Sequence, residues 1–268
     1  MIHNKEIDYG KGFDWGKTSE DYARFRDIYP DAFYEKIVNL GLCVRGQKVL
    51  DLGTGTGVLP RNMYKYGADF IGTDIAENQI EQAKRLSAKA GMNIEYIVVS
   101  AEDIDFPNEK FDVITACQCF MYFNKEVVLP KIHRMLKDDG HFCILFMAWL
   151  PDECEIARRS EELVLKYNPT WTGAGMKRYT HDTPVWSKEL SLVNELFSAV
   201  NMEYFDINVK FTRDTWHGRM KACRGIGASS LSKKEIATWE KEHTEYLQSV
   251  PEVFNILHFA SVMDFRKK

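Results

Sequence analysis

The sequence has no long hydrophobic run: nowhere do apolar residues approach the ~18 in succession that a membrane span requires, so no spanning helix is expected. Its start, MIHNKEIDYGKGFDWGK, alternates charges with aromatics and lacks both an apolar h-region and a small-residue cleavage site, which argues against export and points to the cytoplasm. No CxxC pair occurs among the six cysteines (43, 117, 119, 143, 154 and 223); Cys117, Cys119 and Cys143 lie in apolar runs and read as buried thiols, so no metal is expected. There is no surplus of positive charge either, with 35 Lys+Arg against 39 Asp+Glu and a net charge of −4. Residues 1–150 carry 18 basic and 22 acidic side chains and residues 151–268 carry 17 of each, so neither half is built to neutralise a phosphate backbone. Internal repeats and low-complexity stretches are absent too. What remains, at 45% hydrophobic and 28% charged over 268 residues, is an ordinary folded chain rather than a disordered or fibrous one.

Between residues 47 and 147 short apolar runs alternate with helical patterns, the mark of a parallel sheet covered by helices. Strands are expected at 47–52, 68–73, 93–99, 111–117 and 140–148, with helices at about 31–41, 58–66, 76–90 and 125–137. After Pro151 the pattern predicts helices at 152–167, 187–200, 214–226 and 232–248, and strands at 203–211 and 253–262. The late strands need a sheet to join. The expectation is therefore one domain over 1–268: a leader to about 45, a cofactor-binding core over about 46–149, an inserted lid over about 150–200 and a C-terminal part from about 201.

The strongest chemical signal is VLDLGTGTG, residues 49–57. A buried strand ends in Asp51, and Gly53, Thr54, Gly55 and Gly57 then make a turn where a Cβ would keep the backbone from approaching a ligand. The GxGxG spacing differs from the GxGxxG of dinucleotide dehydrogenases, and the acid before it suits a cofactor bearing a cationic amino group more than a pyrophosphate. Asp74 ends the next strand, placed to accept from ribose hydroxyls, with Ile75 behind it to face a base. After the third strand, Glu102 or Asp103 in SAEDIDFP is placed to accept from an adenine amino group, and the fourth strand ends at Ala116-Cys117-Gln118.

VLDLGTGTG, Asp74, the AED segment and FDVITACQCFMYF together resemble the motif series of class I S-adenosylmethionine-dependent methyltransferases, over roughly residues 15–150. The leader DYARFRDIYP resembles that of the small-molecule group containing trans-aconitate and ubiquinone- or menaquinone-type enzymes, with Asp27 in place of the usual proline. The resemblance implies a Rossmann-like, seven-stranded, mostly parallel α/β sheet with helices on both faces and its last strand antiparallel. It implies S-adenosylmethionine as cofactor, S-adenosylhomocysteine as product, Tyr22 and Arg26 folding over the cofactor, Asp51 and the glycine turn facing its methionine part, Asp74 its ribose, and Ala101 and Glu102 its adenine. The rivals are a non-catalytic protein that binds the same cofactor and, disfavoured by the glycine spacing, a nicotinamide-dependent oxidoreductase.

Methyl transfer from a sulfonium is an in-line displacement that asks for positioning and exclusion of water rather than a triad. The acceptor is therefore read partly from absences. No Asn/Asp-Pro-Pro-Tyr segment and no Pro-Cys pair follow the fourth strand, which again disfavours nucleic acid and leaves a small molecule. Cys117 and Gln118 at the end of the fourth strand are expected to touch the cofactor, and the acceptor's site is expected from Gln118, Phe120 and Tyr122, the last a candidate catalytic residue, and from Trp216 and lid aromatics such as Trp149 and Trp186. Residues 210–224 carry five basic side chains against one acid. A helix from Asp214 as N-cap would place His217, Lys221 and Arg224 on one face and Trp216 on another; beside the reading as a solvated basic face stands one in which Arg213 or Arg219 clamps a carboxylate and His217 is a general base. The oligomeric state is open.

Overall fold

The computed structural model describes residues 2–5 and 7–268, and of residues 184 and 185 the backbone only. Residues 1 and 6 of the expected leader lie outside the described residues.

Two short helices come first, α1 (Ser19–Phe25) and α2 (Asp31–Asn39). The expected alternation then follows: β1 (Lys48–Leu52), α3 (Val58–Met63), β2 (Asp69–Asp74), α4 (Glu77–Lys89), β3 (Glu95–Val98), β4 (Phe111–Cys117), α5 (Lys125–Met135) and β5 (Leu136–Trp149). The remainder is α6 (Glu155–Tyr167), α7 (Pro184–Leu196), β6 (Phe197–Thr212), α8 (Arg213–Lys221), α9 (Lys233–Leu247) and β7 (Val253–Lys267). No described helix is long and apolar enough to cross a membrane.

All seven strands form one sheet in the order β3-β2-β1-β4-β5-β7-β6. The pairs β1–β2, β1–β4, β2–β3 and β4–β5 are parallel, with Asp51 opposite both Gly72 and Thr115. β7 runs the other way. Lys267 Nζ reaches the Leu136 carbonyl, His141 Nδ1 the Asp264 carboxylate and the Leu150 N–H the Leu257 carbonyl, so rising numbers on β5 meet falling numbers on β7. β6 is antiparallel to β7 by the same test, from Arg213 N to Glu252 O and Lys268 N to Leu196 O. The Rossmann-like, mostly parallel sheet with helices is thus present.

By contacts the chain falls into two compact units. One holds residues 29–147, 179–205 and 260–268. Its centre is apolar: Val49, Leu50 and Leu52 of β1 and Val113, Ile114 and Ala116 of β4 are all buried, as parallel strands covered on both faces must be. The other holds residues 2–28, 148–178 and 206–259, with Trp216 of α8 and Trp239 of α9 fully buried. The stretch expected as one lid is divided, 148–178 going with the second unit and 179–205 with the first.

Several boundaries differ from expectation, and those of β6 and α8 have a clear local cause. β6 begins at Phe197, inside the stretch read as helix, because Phe197 is buried against Phe142 while the following residues lie on an edge strand with little apolar patterning. α8 is capped by Thr212 rather than Asp214: the Thr212 hydroxyl accepts from Thr215 N, and the Thr215 side chain returns the bond to Thr212 N. It ends at Lys221, so Arg224 leaves the helix and pairs with buried Asp8 at 2.6 Å.

Candidate active site

β1 delivers the glycine turn. Gly53, Gly55 and Gly57 have φ of 59°, 56° and 72°, the left-handed region that suits glycine. Two of them are also fixed by close packing. A Cβ on Gly53 would lie 2.8 Å from Cys119 Sγ, and one on Gly57 would overlap the Tyr96 hydroxyl. Thr54 N bonds the Thr73 carbonyl at 2.8 Å, which ties the turn to the tip of β2.

Asp74 holds the turn from the other side. Its Oδ2 accepts from Gly55 N at 2.9 Å and its Oδ1 from Ala76 N at 2.8 Å, so each oxygen keeps capacity for a second donor. Burial raises its pKa, and the two N–H bonds pull it back. The next residue, Ile75, is 57% exposed, a bare apolar surface beside the carboxylate. Asp51, 1% exposed, accepts from Thr115 Oγ1 at 2.6 Å. Burial and then the charge of Asp74 push its pKa up to about 7 against the pull of the Thr115 and Thr54 hydroxyls. An ammonium group is the kind of partner that would restore its charge.

At the ends of β3 and β4 the expected residues meet other demands. Ala101 is buried, and Glu102 Oε1 accepts from Asn124 N at 2.8 Å, which engages one of its oxygens at the start of α5. Asp103 is drawn into a local turn by Ser100. Gln118 adopts φ of 62°, unusual for a side chain with a Cβ, held by its N–H to Leu145 O and its amide to Met147 O. Cys117 is half-buried, its Sγ 3.8 Å from the Tyr29 hydroxyl. Tyr29, which packs on Phe33, escaped the sequence reading; its only signal was its place in the YP of the leader. Phe120 is a core side chain, 1% exposed against Phe123 and Phe142, which removes it as an acceptor wall. Tyr122 is half-buried on a single 3-10 turn, and Trp186 is buried against Phe146.

The remaining candidates belong to the other unit. Arg26 lies over the rings of Tyr22 and Trp15 and donates to the Tyr22 hydroxyl at 3.4 Å. Trp149 donates to Glu161 at 2.6 Å, meets Trp216 edge-on at 5.5 Å, and has the Arg219 guanidinium over its ring at 4.7 Å. Arg213, by contrast, is spent on the turn before β7, donating to the Val250 carbonyl from Nε and Nη2 and to the Gln248 side chain. That geometry makes it a structural clamp, not a substrate ligand.

His217 sits in a relay. Ser160 Oγ donates to Ile156 O, so it accepts from both Trp216 Nε1 and His243 Nε2. His243 Nδ1 must then accept, and His217 Nδ1 donates to it at 2.9 Å. His217 Nε2 lies 3.9 Å from Glu240, which Lys221 holds at 2.7 Å. Burial lowers both histidine pKa values, His243 to about 3. Both His217 nitrogens therefore face groups of α9, His243 and Glu240, an arrangement that fits a helix-packing role better than a general base.

Residues 49–140 match the family described as Methyltransferase domain. A ubiquinone biosynthesis O-methyltransferase of Bartonella bacilliformis is 30% identical over 183 residues, 64% of this chain and 67% of that protein. The chain belongs to the class I S-adenosylmethionine-dependent methyltransferases. This methyltransferase is also similar to a putative methyltransferase of Dictyostelium discoideum, 26% identical over 201 residues, 75% of this chain and 67% of that protein. In fold it resembles a putative type II methyltransferase of Anaeromyxobacter dehalogenans, with TM-score 0.59 at 16% identity, covering 90% of this chain and 97% of that one. The parallel strands β2 to β4 and all of β1 but Lys48, which carry the Asp51–Asp74 turn, lie inside the matched family segment.

Proposed function

We propose that this methyltransferase transfers a methyl group from S-adenosylmethionine to a small-molecule acceptor, leaving S-adenosylhomocysteine. The observation that carries the reading is the pair of carboxylates around the glycine turn, Asp51 with its raised pKa and Asp74 with spare acceptor capacity beside bare Ile75. Asp51 and residues 53–57 suit the amino-acid part of the cofactor, Asp74 the ribose diol, and Ile75 with Ala101 the faces of adenine. When bound, the cofactor supplies an electrophilic methyl on a sulfonium, so the chain needs only to hold both reactants and keep water away. The acceptor being a small molecule is supported by the net charge of −4, which disfavours a polyanion, and by the ubiquinone-pathway O-methyltransferase among the relatives. The six free cysteines agree with a reducing, cytoplasmic setting; Cys43, Cys119, Cys143 and Cys223 are buried with thiols that burial keeps protonated.

The test is calorimetric titration with S-adenosylhomocysteine and with NAD, followed by a screen of metabolite extracts with labelled methyl donor. S-adenosylhomocysteine should bind and NAD should not, Asp74→Asn should weaken binding at least tenfold, and some extract should accept label. Failure to bind removes the reading, whereas binding without any acceptor would turn it into one of cofactor sensing.

A further inference from the structure

Thr115 faces Asp51 across the sheet. The two are Cα partners in the parallel ladder of β1 and β4, and on its other side Thr115 stands in register with buried Cys143 of β5. Its side chain is fully buried, and a β-branched residue in a strand has few rotamers to choose from. The hydroxyl is therefore held where the register puts it. Oγ1 donates to Asp51 Oδ1 at 2.6 Å, the length of a charge-assisted O–H···O⁻ bond. The Leu50 carbonyl lies 3.5 Å from the same oxygen, too far to compete.

The surroundings make Asp51 dependent on that bond. The groups electrostatically coupled to it are Asp74 of β2, the thiols of Cys43 before β1 and Cys119 after β4, and the phenol of Tyr96 on β3. Burial raises the pKa of both thiols and of the phenol, so all three are neutral at pH 7, and Asp74 has the same sign as Asp51. None of these neighbours is a cation. The Thr54 hydroxyl draws the Asp51 pKa down as well, but it completes no hydrogen bond to a described residue. Burial thus pushes the carboxyl toward its neutral form, with a pKa of about 7, and Thr115 is the strongest pull the other way. All these residues and the glycine turn belong to one compact unit.

We propose that Thr115 is a positioning residue for the cofactor: its hydroxyl holds the Asp51 carboxylate in the charged form through Oδ1 and leaves Oδ2 for the ammonium end of S-adenosylmethionine. This deepens, and rests on, the reading of the turn as the seat of the cofactor's amino-acid part. A hydrogen bond to an ionised group exceeds a neutral one by about tenfold in equilibrium terms, so removing the hydroxyl should move the Asp51 titration up by about one pH unit. At neutral pH the variant then holds mostly the acid form, which cannot pair with an ammonium group.

The test compares the unaltered chain with Thr115→Val and Thr115→Ala, which lack the hydroxyl, and Thr115→Ser, which keeps it. S-adenosylhomocysteine is titrated into each by calorimetry from pH 6 to 9, and the Asp51 carboxyl carbon is followed by ¹³C NMR in the chains without ligand. The Val and Ala variants should bind about tenfold more weakly than the unaltered chain at pH 6 and within about twofold of it at pH 9, because the ligand's own titration cancels in the ratio. Their Asp51 resonance should titrate about one pH unit higher, and Thr115→Ser should follow the unaltered chain in both measurements. A merely structural threonine would give a loss that does not depend on pH. That result, or an Asp51 titration that none of the variants moves, overturns the role of Thr115 and leaves the cofactor reading intact. Where the Val variant fails to fold, the comparison of Ala with Ser decides the matter. An unaltered chain that does not bind S-adenosylhomocysteine at any pH overturns the cofactor reading and the role of Thr115 with it.

Discussion

His243 makes acid the sharpest probe of how the α6–α8–α9 unit is held together. The ring is fully buried, gives its Nε2 proton to Ser160, receives one from His217, and has its pKa lowered from the usual 6.5 to about 3. A histidine with a depressed folded pKa stabilises fully above its unfolded value of 6.5, and that contribution drains as pH falls toward 3, because the unfolded chain takes up the proton first. Between about pH 6 and 4 the loss is about 1.4 kcal/mol per pH unit, so some 2 kcal/mol has gone by pH 5. His258, with the same direction and a similar value, adds a comparable amount, whereas buried Glu161 in this unit has a raised pKa and acts in the opposite sense. The clean quantity is therefore a difference between two proteins. Urea unfolding followed by tryptophan fluorescence at pH 7, 6, 5 and 4 should show the unaltered chain losing stability about 1.4 kcal/mol per pH unit faster than His243→Gln. Parallel pH dependences in the two proteins would refute the buried neutral relay.

Three further outcomes follow from the geometry. Gly57→Ala places a Cβ into the Tyr96 hydroxyl at φ of 72°; it should cost at least about 2 kcal/mol in thermal or urea unfolding and abolish S-adenosylhomocysteine binding in calorimetry. If Asp51, with a pKa of about 7 in the free chain, pairs with the cofactor's ammonium as proposed, affinity should fall up to tenfold per pH unit from pH 7 down to 5, and Asp51→Asn should flatten that dependence. Arg213→Ala should lower the melting temperature by loosening the 248–252 turn while leaving the KM for the acceptor unchanged in steady-state assays.

How much of this was legible in the sequence follows from how local each feature is. The alternation from β1 to β5 could be read because each strand is a short apolar run closed by its own turn, and the glycine turn because its residues are neighbours in sequence. β6 was read late because residues 198–203 lie on an edge strand whose side chains are largely exposed or half-buried. The cap at Thr212 was missed for another reason: Asp214 is also an acceptable cap, and only the reciprocal bond with Thr215 decides between them. Arg213, Arg219 and His217 looked alike as members of one basic segment. Their partners, at Val250, Trp149 and His243, are 26 to 70 residues distant in sequence, so their different environments could not be read from spacing. Thr115 gave no signal at all, since a threonine within an apolar strand reads as core until its register opposite Asp51 is known.

The central claim is that the Asp51–Asp74 turn holds S-adenosylmethionine for transfer to a small molecule. One measurement tests it most directly: incubation of the purified chain with methyl-labelled S-adenosylmethionine and a metabolite extract, comparing the unaltered protein with Asp74→Asn at equal folded content. The account predicts label in a low-molecular-weight product with the unaltered chain, and at least tenfold less with Asp74→Asn. Equal labelling by both proteins, or label confined to protein or nucleic acid, would contradict it.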